Sequence, residues 1–341
     1  MAVTQRRSEA SRHVHGPGER AVIRQRKIVI VGAGLVGGSA ALFSSYTIPG
    51  VEIVLIDVEP VRAEGQVMDL AHAAAIWQSA HFLAGDYPDA SDADIVVITA
   101  GAGVKPGQTR LDIAQINAKI IREIVDQTSR YAPDAIYVIA TNPCDVLAHV
   151  VLEHLHLPRE RVISTGTELD TARLRTLLSP RLGVVAPAIL AYVLGEHGES
   201  AIIHWSGATV SGMPLDAYLS RVGKELGAAS RDLLLRSVHE SAKQIKEGKG
   251  ATHYGIASAI ARICQAILHN SDAILPVAVV HPEVEGIADV CVSLPLLVNN
   301  QGAHLIAYPL LDDAERAGLR RSAEIVKAAV DGVFGQPTPR A

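Results

Sequence analysis

A doubly wound α/β fold is what this sequence predicts, and three observations predict it. Short β-branched runs alternate with helical stretches through the first half of the chain, the pattern of a parallel sheet covered on both faces by helices. A glycine-rich turn, GAGLVGG, joins the first run to the first helix. An aspartate closes the second run.

The first run, Lys27–Val31 (KIVIV), reads as a buried strand and leads straight into Gly32, Gly34 and Gly37 at G-x-G-x-x-G spacing. Glycines so placed allow a tight turn and let a pyrophosphate approach the helix N-terminus, whose free N–H groups and dipole favour anions. The motif alone is weak. Its context is right: a strand before it, a helix after it, and a second strand, VEIVLID, ending at Asp57. Asp57 follows Gly37 by about twenty residues, the spacing needed to accept hydrogen bonds from a ribose diol. Its charge would repel a 2′-phosphate, and the adjacent Val58 offers no cation. The predicted cofactor is therefore NAD rather than NADP, bound by a Rossmann-type half.

A helical stretch through Pro60–Ala75, a short strand near His81–Ala84 and a fourth strand over Asp94–Thr99 continue the alternation. The loop AGAGVKPGQTR follows, carrying Val104, and then a periodic helix over Leu111–Tyr131. Parallel sheets bind ligands in loops beyond the carboxyl ends of their strands. Arg110, at the hinge between this loop and its helix, is thus either a site residue or a solvated helix-start arginine. A fifth strand, Ala135–Ala140, ends at Asn142, with Pro143 beginning the next helix. The Asn142 amide can contact nicotinamide and substrate, cap the helix, or do both. Cys144 is assigned to packing, since no base or metal partner adjoins it.

A sixth strand, Arg161–Thr165, brings the chain to GTELDTARLR, where Asp170 and Arg173 are three apart and share a helix face. Next, the apolar run Ala191–Leu194 predicts a buried strand ending at the turn GEHGES, with His197 exposed where the chain leaves the sheet. Taken singly, His197 reads as a satisfied turn histidine and Asp170–Arg173 as a surface ion pair. Behind a nucleotide-binding half they read differently. A histidine, a carboxylate to orient it and an arginine fork for a substrate carboxylate make a proton-transfer site with its own anchor.

Beyond His197 the texture changes. AIIHWSGATV predicts a strand, Asp216 to about His269 long helical segments broken near Gly248–Thr252, ILPVAVV and VCVSLPLLV two strands, and Asp312–Val333 a last helix. This half has no phosphate loop and reads as a mixed α/β substrate domain. The predicted division is an N-terminal arm (1–24), an NAD-binding domain (25–166), a substrate and catalytic domain (167–335) and a tail (336–341).

With 341 residues, 48% hydrophobic and 20% charged, the chain has ample core for two domains. A net charge of -5 argues against nucleic acid as a partner, and no apolar run reaches transmembrane length without a charge or breaker. Cys144, Cys264 and Cys291 lie far apart with no C-x-x-C spacing, so neither a disulfide framework nor a metal site is expected, and a reducing, cytoplasmic setting fits. The first 24 residues are polar and arginine-rich around Gly16-Pro17-Gly18, without the apolar centre of a secretory signal, and Glu9 and Glu19 count against a transit peptide. They read as a mobile arm or one packed on a neighbouring subunit.

From Lys27 to Val333 the chain resembles the L-lactate dehydrogenase branch of the lactate/malate dehydrogenase family. The resemblance is carried by GAGLVG, MDLAH, TAGAGVKPGQTRLD, ATNPCDV, GTELDTARLR, LGEHGES, WSG and KGATHYG, in the family's order. It implies a fermentative enzyme moving hydride reversibly between NAD and a short L-2-hydroxy acid, lactate and pyruvate above all, in a homodimer or homotetramer. By motif, His197 resembles the proton donor–acceptor and Asp170 the carboxylate that sets its tautomer. Arg173 resembles the residue holding the substrate carboxylate, and Arg110 the mobile-loop arginine polarising the reacting carbonyl. Asn142 and Thr252 fall where the family lines the nicotinamide and substrate pocket.

Two departures stand out. Before the loop's KPG, lactate enzymes generally carry Gln and malate enzymes Arg; here Val104 offers neither, which disfavours malate and admits larger apolar 2-oxo acids of the 2-hydroxyisocaproate kind. Members activated by sugar bisphosphates pair a basic residue at Arg175 with a histidine where this chain has Leu190. Among other classes, an NAD-dependent glycosidase would need a Cys/His metal cluster. A dinucleotide-sensing protein would not need His197, Asp170, Arg173 and Arg110 together.

Overall fold

The computed structural model describes residues 25–77, 80–103, 107 and 109–335. The N-terminal arm, the tail and Val104 lie outside the described residues. Six short strands form a parallel array: β1 (Lys27–Val31), β2 (Glu52–Ile56), β3 (His81–Ala84), β4 (Ile95–Ile98), β5 (Ile136–Ile139) and β6 (Val162–Ser164). They lie side by side in the order β3-β2-β1-β4-β5-β6. The four residues of β4 and of β5 are buried throughout, as a strand covered on both faces requires. The chain runs outward to β3 and then returns to β4, so the order reverses between β1 and β4, the switch point where such sheets open a crevice for ligands.

The connecting helices are α1 (Leu35–Thr47), α2 (Pro60–Trp77), α3 (Arg110–Tyr131) and α4 (Cys144–Leu155). Helix α3 starts where it does because Thr109 and Asp112 cap it reciprocally: the Thr109 hydroxyl accepts from the Asp112 N–H at 3.1 Å and the Asp112 carboxylate from the Thr109 N–H at 2.8 Å. Arg110 is thereby the first helical residue, one earlier than the periodicity predicts. Asn142 caps nothing. Pro143 occupies the cap of α4 without a side-chain hydrogen bond, and the helix starts at Cys144.

The second half comprises α5 (Glu168–Leu182), β7 (Ile189–Leu190), β8 (Val193–Leu194), β9 (Ile202–Ile203), β10 (Thr209–Val210), β11 (Met213–Pro214), α6 (Leu215–Arg221), α7 (Ala228–Lys249), α8 (Tyr254–Leu268), β12 (Ala273–Val284), β13 (Ile287–Asn299), β14 (Gly302–His304) and α9 (Asp313–Phe334). The single strand expected over AIIHWSGATV is two. Its halves serve different partners, β9 pairing with β8 while β10 lies between β7 and β11. The turn between them is held by Glu315, which accepts from the N–H of Ser206 at 2.9 Å. Strands β12 and β13 form one long hairpin whose two-residue turn, Glu285-Gly286, has both residues at positive φ (49° and 83°). Ala278 of β12 pairs antiparallel with Ser164 of β6, extending the parallel array into a single nine-stranded sheet.

Both faces of that sheet are filled. Helix α8 packs on α1, whose buried positions are all Gly, Ala or Ser, so the two backbones come close and the second half is seated on the first. Leu147 and Val151 of α4 and Ile121 of α3 fill the opposite face. A third cluster, including Leu174, Leu178, Val193 and Val238, joins α5 and α7 to the small sheets. Each such side chain contributes roughly 1.5–3 kcal/mol when fully buried. No helix among the described residues is long and apolar enough to cross a membrane.

Candidate active site

The crevice at the switch point is a groove of about 420 Å³ lined by Gly32, Gly34, Asp57, Arg62 and Thr99 among others. A Cβ on Gly37 would lie 1.8 Å from the Gly32 carbonyl oxygen, so the turn closes only with glycine there. A Cβ on Gly34 would meet nothing within 4 Å. That open space faces the start of α1, where Gly34 is the cap and no side chain bonds the free N–H groups. It is a cradle of the kind a pyrophosphate fills. The Asp57 carboxylate accepts from the Ala33 N–H at 2.7 Å and the Glu59 N–H at 3.0 Å, which fixes it at the rim of the groove. The sequence reading that no cation stands near Asp57 is corrected: one turn into α2, Arg62 comes within 3.5 Å of it. Val58 carries no charge, but the first turn of the helix returns residue 62 to the strand's end.

At the other end of the crevice the three residues of the expected proton-transfer site meet. His197 Nδ1 lies 2.6 Å from one oxygen of Asp170, and Arg173 Nη1 donates to the other at 2.8 Å. An ionised carboxylate only accepts, so Nδ1 carries the proton of that bond and Nε2 is left for chemistry. The turn is more enclosed than the sequence implies, with the His197 side chain 23% exposed. Three contacts place it. Gly195, at φ 92°, is bridged to Ser293 of β13. The Ser322 hydroxyl accepts from the Glu196 N–H at 2.7 Å. The buried Asp145 carboxylate accepts from the His197 N–H at 2.7 Å and from the Ser164 hydroxyl at 2.6 Å.

The electrostatics follow from these contacts. The Asp170 carboxylate is the largest influence on His197 and, against the cost of burial, pushes its pKa up to about 9. For Asp170, burial is the largest single effect and acts upward, but the imidazole and guanidinium together outweigh it and hold the carboxyl below its ordinary value. Burial raises Asp145 to about 6 despite its hydrogen bonds. Cys144 is buried and its thiol pushed well up by that burial, consistent with packing.

Around this pair lies a cavity of about 210 Å³, below the roughly 300–1,000 Å³ of drug-sized sites and suited to a small acid. Asn142, Arg173, His197 and Thr252 line it together. Arg173 Nε is buried and has no hydrogen-bond partner among the described residues, a charged donor waiting for an acceptor. Arg110 is not brought in. Its guanidinium pairs at 2.6 Å with Glu199, two residues past His197, and both side chains are largely exposed.

Several residues of the site are absent from the sequence reading. Asn117, buried mid-way along α3, accepts from the Ala102 N–H at 2.7 Å and donates to the carbonyls of Ala102 and Asn142 at 3.2 and 2.8 Å, tying the base of the loop after β4 to the segment after β5. Its signal was a polar residue on the apolar stripe of a helix. Asp145 showed the same signal in α4. Lys246 of α7 lines the same cavity as Arg173 and His197 and gave no signal, because a lysine in a charged helix is the norm.

The lactate/malate dehydrogenase NAD-binding domain matches residues 26–164, and the α/β C-terminal domain of the same family matches residues 167–336. The chain belongs to the lactate/malate dehydrogenase family. It is 41% identical to an L-lactate dehydrogenase of Geotalea daltonii over 90% of this chain and 99% of that protein, and 39% identical to one of Thermus aquaticus with the same coverage. A lactate dehydrogenase from a Medee basin deep-sea metagenome library superposes with a TM-score of 0.87 at 37% identity, covering 92% of this chain and 100% of that one. The minor L-lactate dehydrogenase of Enterococcus mundtii gives 0.86, also at 37% identity, over 91% and 98%. As a member of this family the chain takes NAD, in keeping with the open cradle beside Gly34. At the position of the expected effector arginine, Arg175 is already engaged. Its guanidinium lies 5.3 Å from the Tyr192 ring centre and its Nε donates to the Ala191 carbonyl at 3.3 Å, while Leu190 is exposed beside it.

Proposed function

We propose that this family member interconverts L-lactate and pyruvate, with His197, Asp170 and Arg173 as its chemical centre. The observation that carries the reading is the Arg173 guanidinium, with one nitrogen bound to Asp170 and another buried without an acceptor. A carboxylate against that nitrogen satisfies it and sets the neighbouring carbon beside His197. When bound, the nicotinamide gives or takes a hydride at that carbon. In reduction, protonated His197 delivers its Nε2 proton to the carbonyl oxygen, and Asp170 holds the ring in the tautomer that can do so. In oxidation, neutral His197 takes the hydroxyl proton, and the Asp170 carboxylate stabilises the imidazolium that results. Asn142 and Thr252 line the pocket beside them. Arg110 acts on the substrate oxygen after leaving Glu199; an exposed pair of that kind is worth only about 0–1 kcal/mol, so the exchange is cheap.

The test is NADH absorbance with pyruvate, 2-oxoisocaproate and oxaloacetate, for the natural sequence and for His197→Gln. Pyruvate turnover with a drop on the order of 10²–10⁴ in the variant, and unchanged NADH affinity, is expected. Near-normal turnover in His197→Gln would refute the mechanism. The oligomer we propose is a homo-oligomer, since Val61, Met68 and Ile76 leave one face of α2 apolar and exposed. Three free, buried cysteines accord with a cytoplasmic setting.

A further inference from the structure

We infer that Lys246 makes this site receptive to 2-oxo acids whose side chain ends in a second anion, a carboxylate or sulfonate. The inference rests on the dehydrogenase reading above and concerns which side chains that site admits. Residue 104 is not the whole of the side-chain pocket, because the cavity has a second wall. Ala242 and Lys246 are four apart on α7 and therefore lie on one helix face, and both line the cavity that holds Arg173 and His197. Ala242 is small and leaves room, while Lys246 brings an ammonium.

Among the described residues that ammonium has no countercharge: no carboxylate lies within ion-pair distance of Lys246, although Lys243 on the same helix pairs with Glu247. Lys249, one turn on, stacks its ammonium 3.7 Å from the Tyr254 ring centre and approaches His253 at 3.1 Å. Among the described residues, the lining of the cavity contains Arg173, His197 and Lys246 and no Asp or Glu. Asp170 already serves His197 and Arg173. A substrate with one carboxylate satisfies Arg173 and leaves the exposed Lys246 ammonium facing the cavity without an anion. A second anion on the substrate's side chain supplies the missing partner. Lysine suits the role, since its long stem lets the ammonium reach anions of different length without fixed geometry.

The experiment is a kcat/KM series at one pH and fixed NADH with pyruvate, 2-oxobutyrate, oxaloacetate and 3-sulfopyruvate, for the natural sequence, Lys246→Met and Lys246→Arg. The readout is the ratio of each dianion to pyruvate. We expect Lys246→Met to lower both ratios at least about tenfold, and Lys246→Arg to keep them within about threefold. Added salt should lower the ratios more steeply in the natural sequence than in Lys246→Met, where Arg173 and His197 remain the cavity's cations. Lys246 is exposed, so the fold should survive, which a thermal melt checks. Ratios unmoved by Lys246→Met, or equal losses for all four substrates, overturn the inference while leaving the dehydrogenase reading intact. No turnover of any 2-oxo acid refutes that reading and takes this one with it.

Discussion

Replacing Asp170 by Asn keeps the shape of the site and removes the largest cause of the raised His197 pKa. The rise from 6.5 to about 9 corresponds to roughly 3 kcal/mol favouring the imidazolium. The sign follows directly. Reduction of pyruvate needs His197 protonated, so its kcat/KM should be flat through neutral pH and fall as pH rises through about 9. In Asp170→Asn, burial and the Arg173 charge still act downward on His197, leaving only the smaller upward effect of Asp145. The fall should then begin near or below pH 6.5. At pH 7.5 the protonated fraction drops from nearly all to roughly one tenth, a loss of about tenfold before orientation is considered. Losing the group that fixes the ring adds to this, for a total on the order of 10²–10⁴. At any one pH the loss should be equal for pyruvate reduction and lactate oxidation, provided cofactor affinities are unchanged, because the ratio of the two is bound to the reaction equilibrium. The assay is kcat/KM for pyruvate from pH 6 to 10 with saturating NADH, with NADH affinity followed by fluorescence. A midpoint that stays near 9 in the variant would show that Asp170 does not set the charge of His197.

Asp57→Ser removes the charge that opposes a 2′-phosphate and releases Arg62, so NADPH should gain at least about tenfold on NADH in kcat/KM; equal use of both cofactors by the natural sequence would contradict the assignment of Asp57. Gly37→Ala and Gly34→Ala should part company: the first forces a carbon against the Gly32 carbonyl and lowers thermal stability, whereas the second folds normally and weakens NADH binding, as melts and fluorescence titration will show. Glu199→Gln frees Arg110 from its exposed pair and should change pyruvate kcat/KM by less than about fivefold, a size set by the weakness of such pairs. Fructose 1,6-bisphosphate should leave the pyruvate KM nearly unchanged, because Arg175 is occupied by Tyr192 and Ala191 and Leu190 cannot bond a phosphate.

What could be read from the sequence was what depends on local pattern. The KIVIV strand, the glycines after it and the aspartate ending the next strand are each specified within a few residues, and the structure puts them around one groove. Asp170 and Arg173 are three apart on a helix, so their contact needed no tertiary knowledge. Their meeting with His197 did, and there the family's ordered motifs supplied what periodicity could not. Arg62 is not legible beside Asp57 in the sequence because its relation to Asp57 runs back along a helical turn after a strand. AIIHWSGATV reads as one continuous strand because nothing in its composition says that its halves pair with different strands. Lys246 belongs to a third kind: its importance lies in which cavity the helix face meets, and that is set by packing of α7 against α5.

The joining of β12 to β6 has a thermodynamic consequence. Ser293, on the neighbouring β13, accepts from the Thr167 N–H at 3.0 Å just ahead of Asp170, and it is bridged to Gly195 just ahead of His197. Both segments of the proposed catalytic site are thus latched to the sheet whose other strands shape the groove at the switch point. A seam along which one half could melt while the other stayed native would have to cut through that sheet. Unfolding should therefore be one cooperative event in which the groove and the catalytic turn are lost together. By mass action, every increment of NADH binding then stabilises the His197–Asp170 pair as well, at a distance and without touching it.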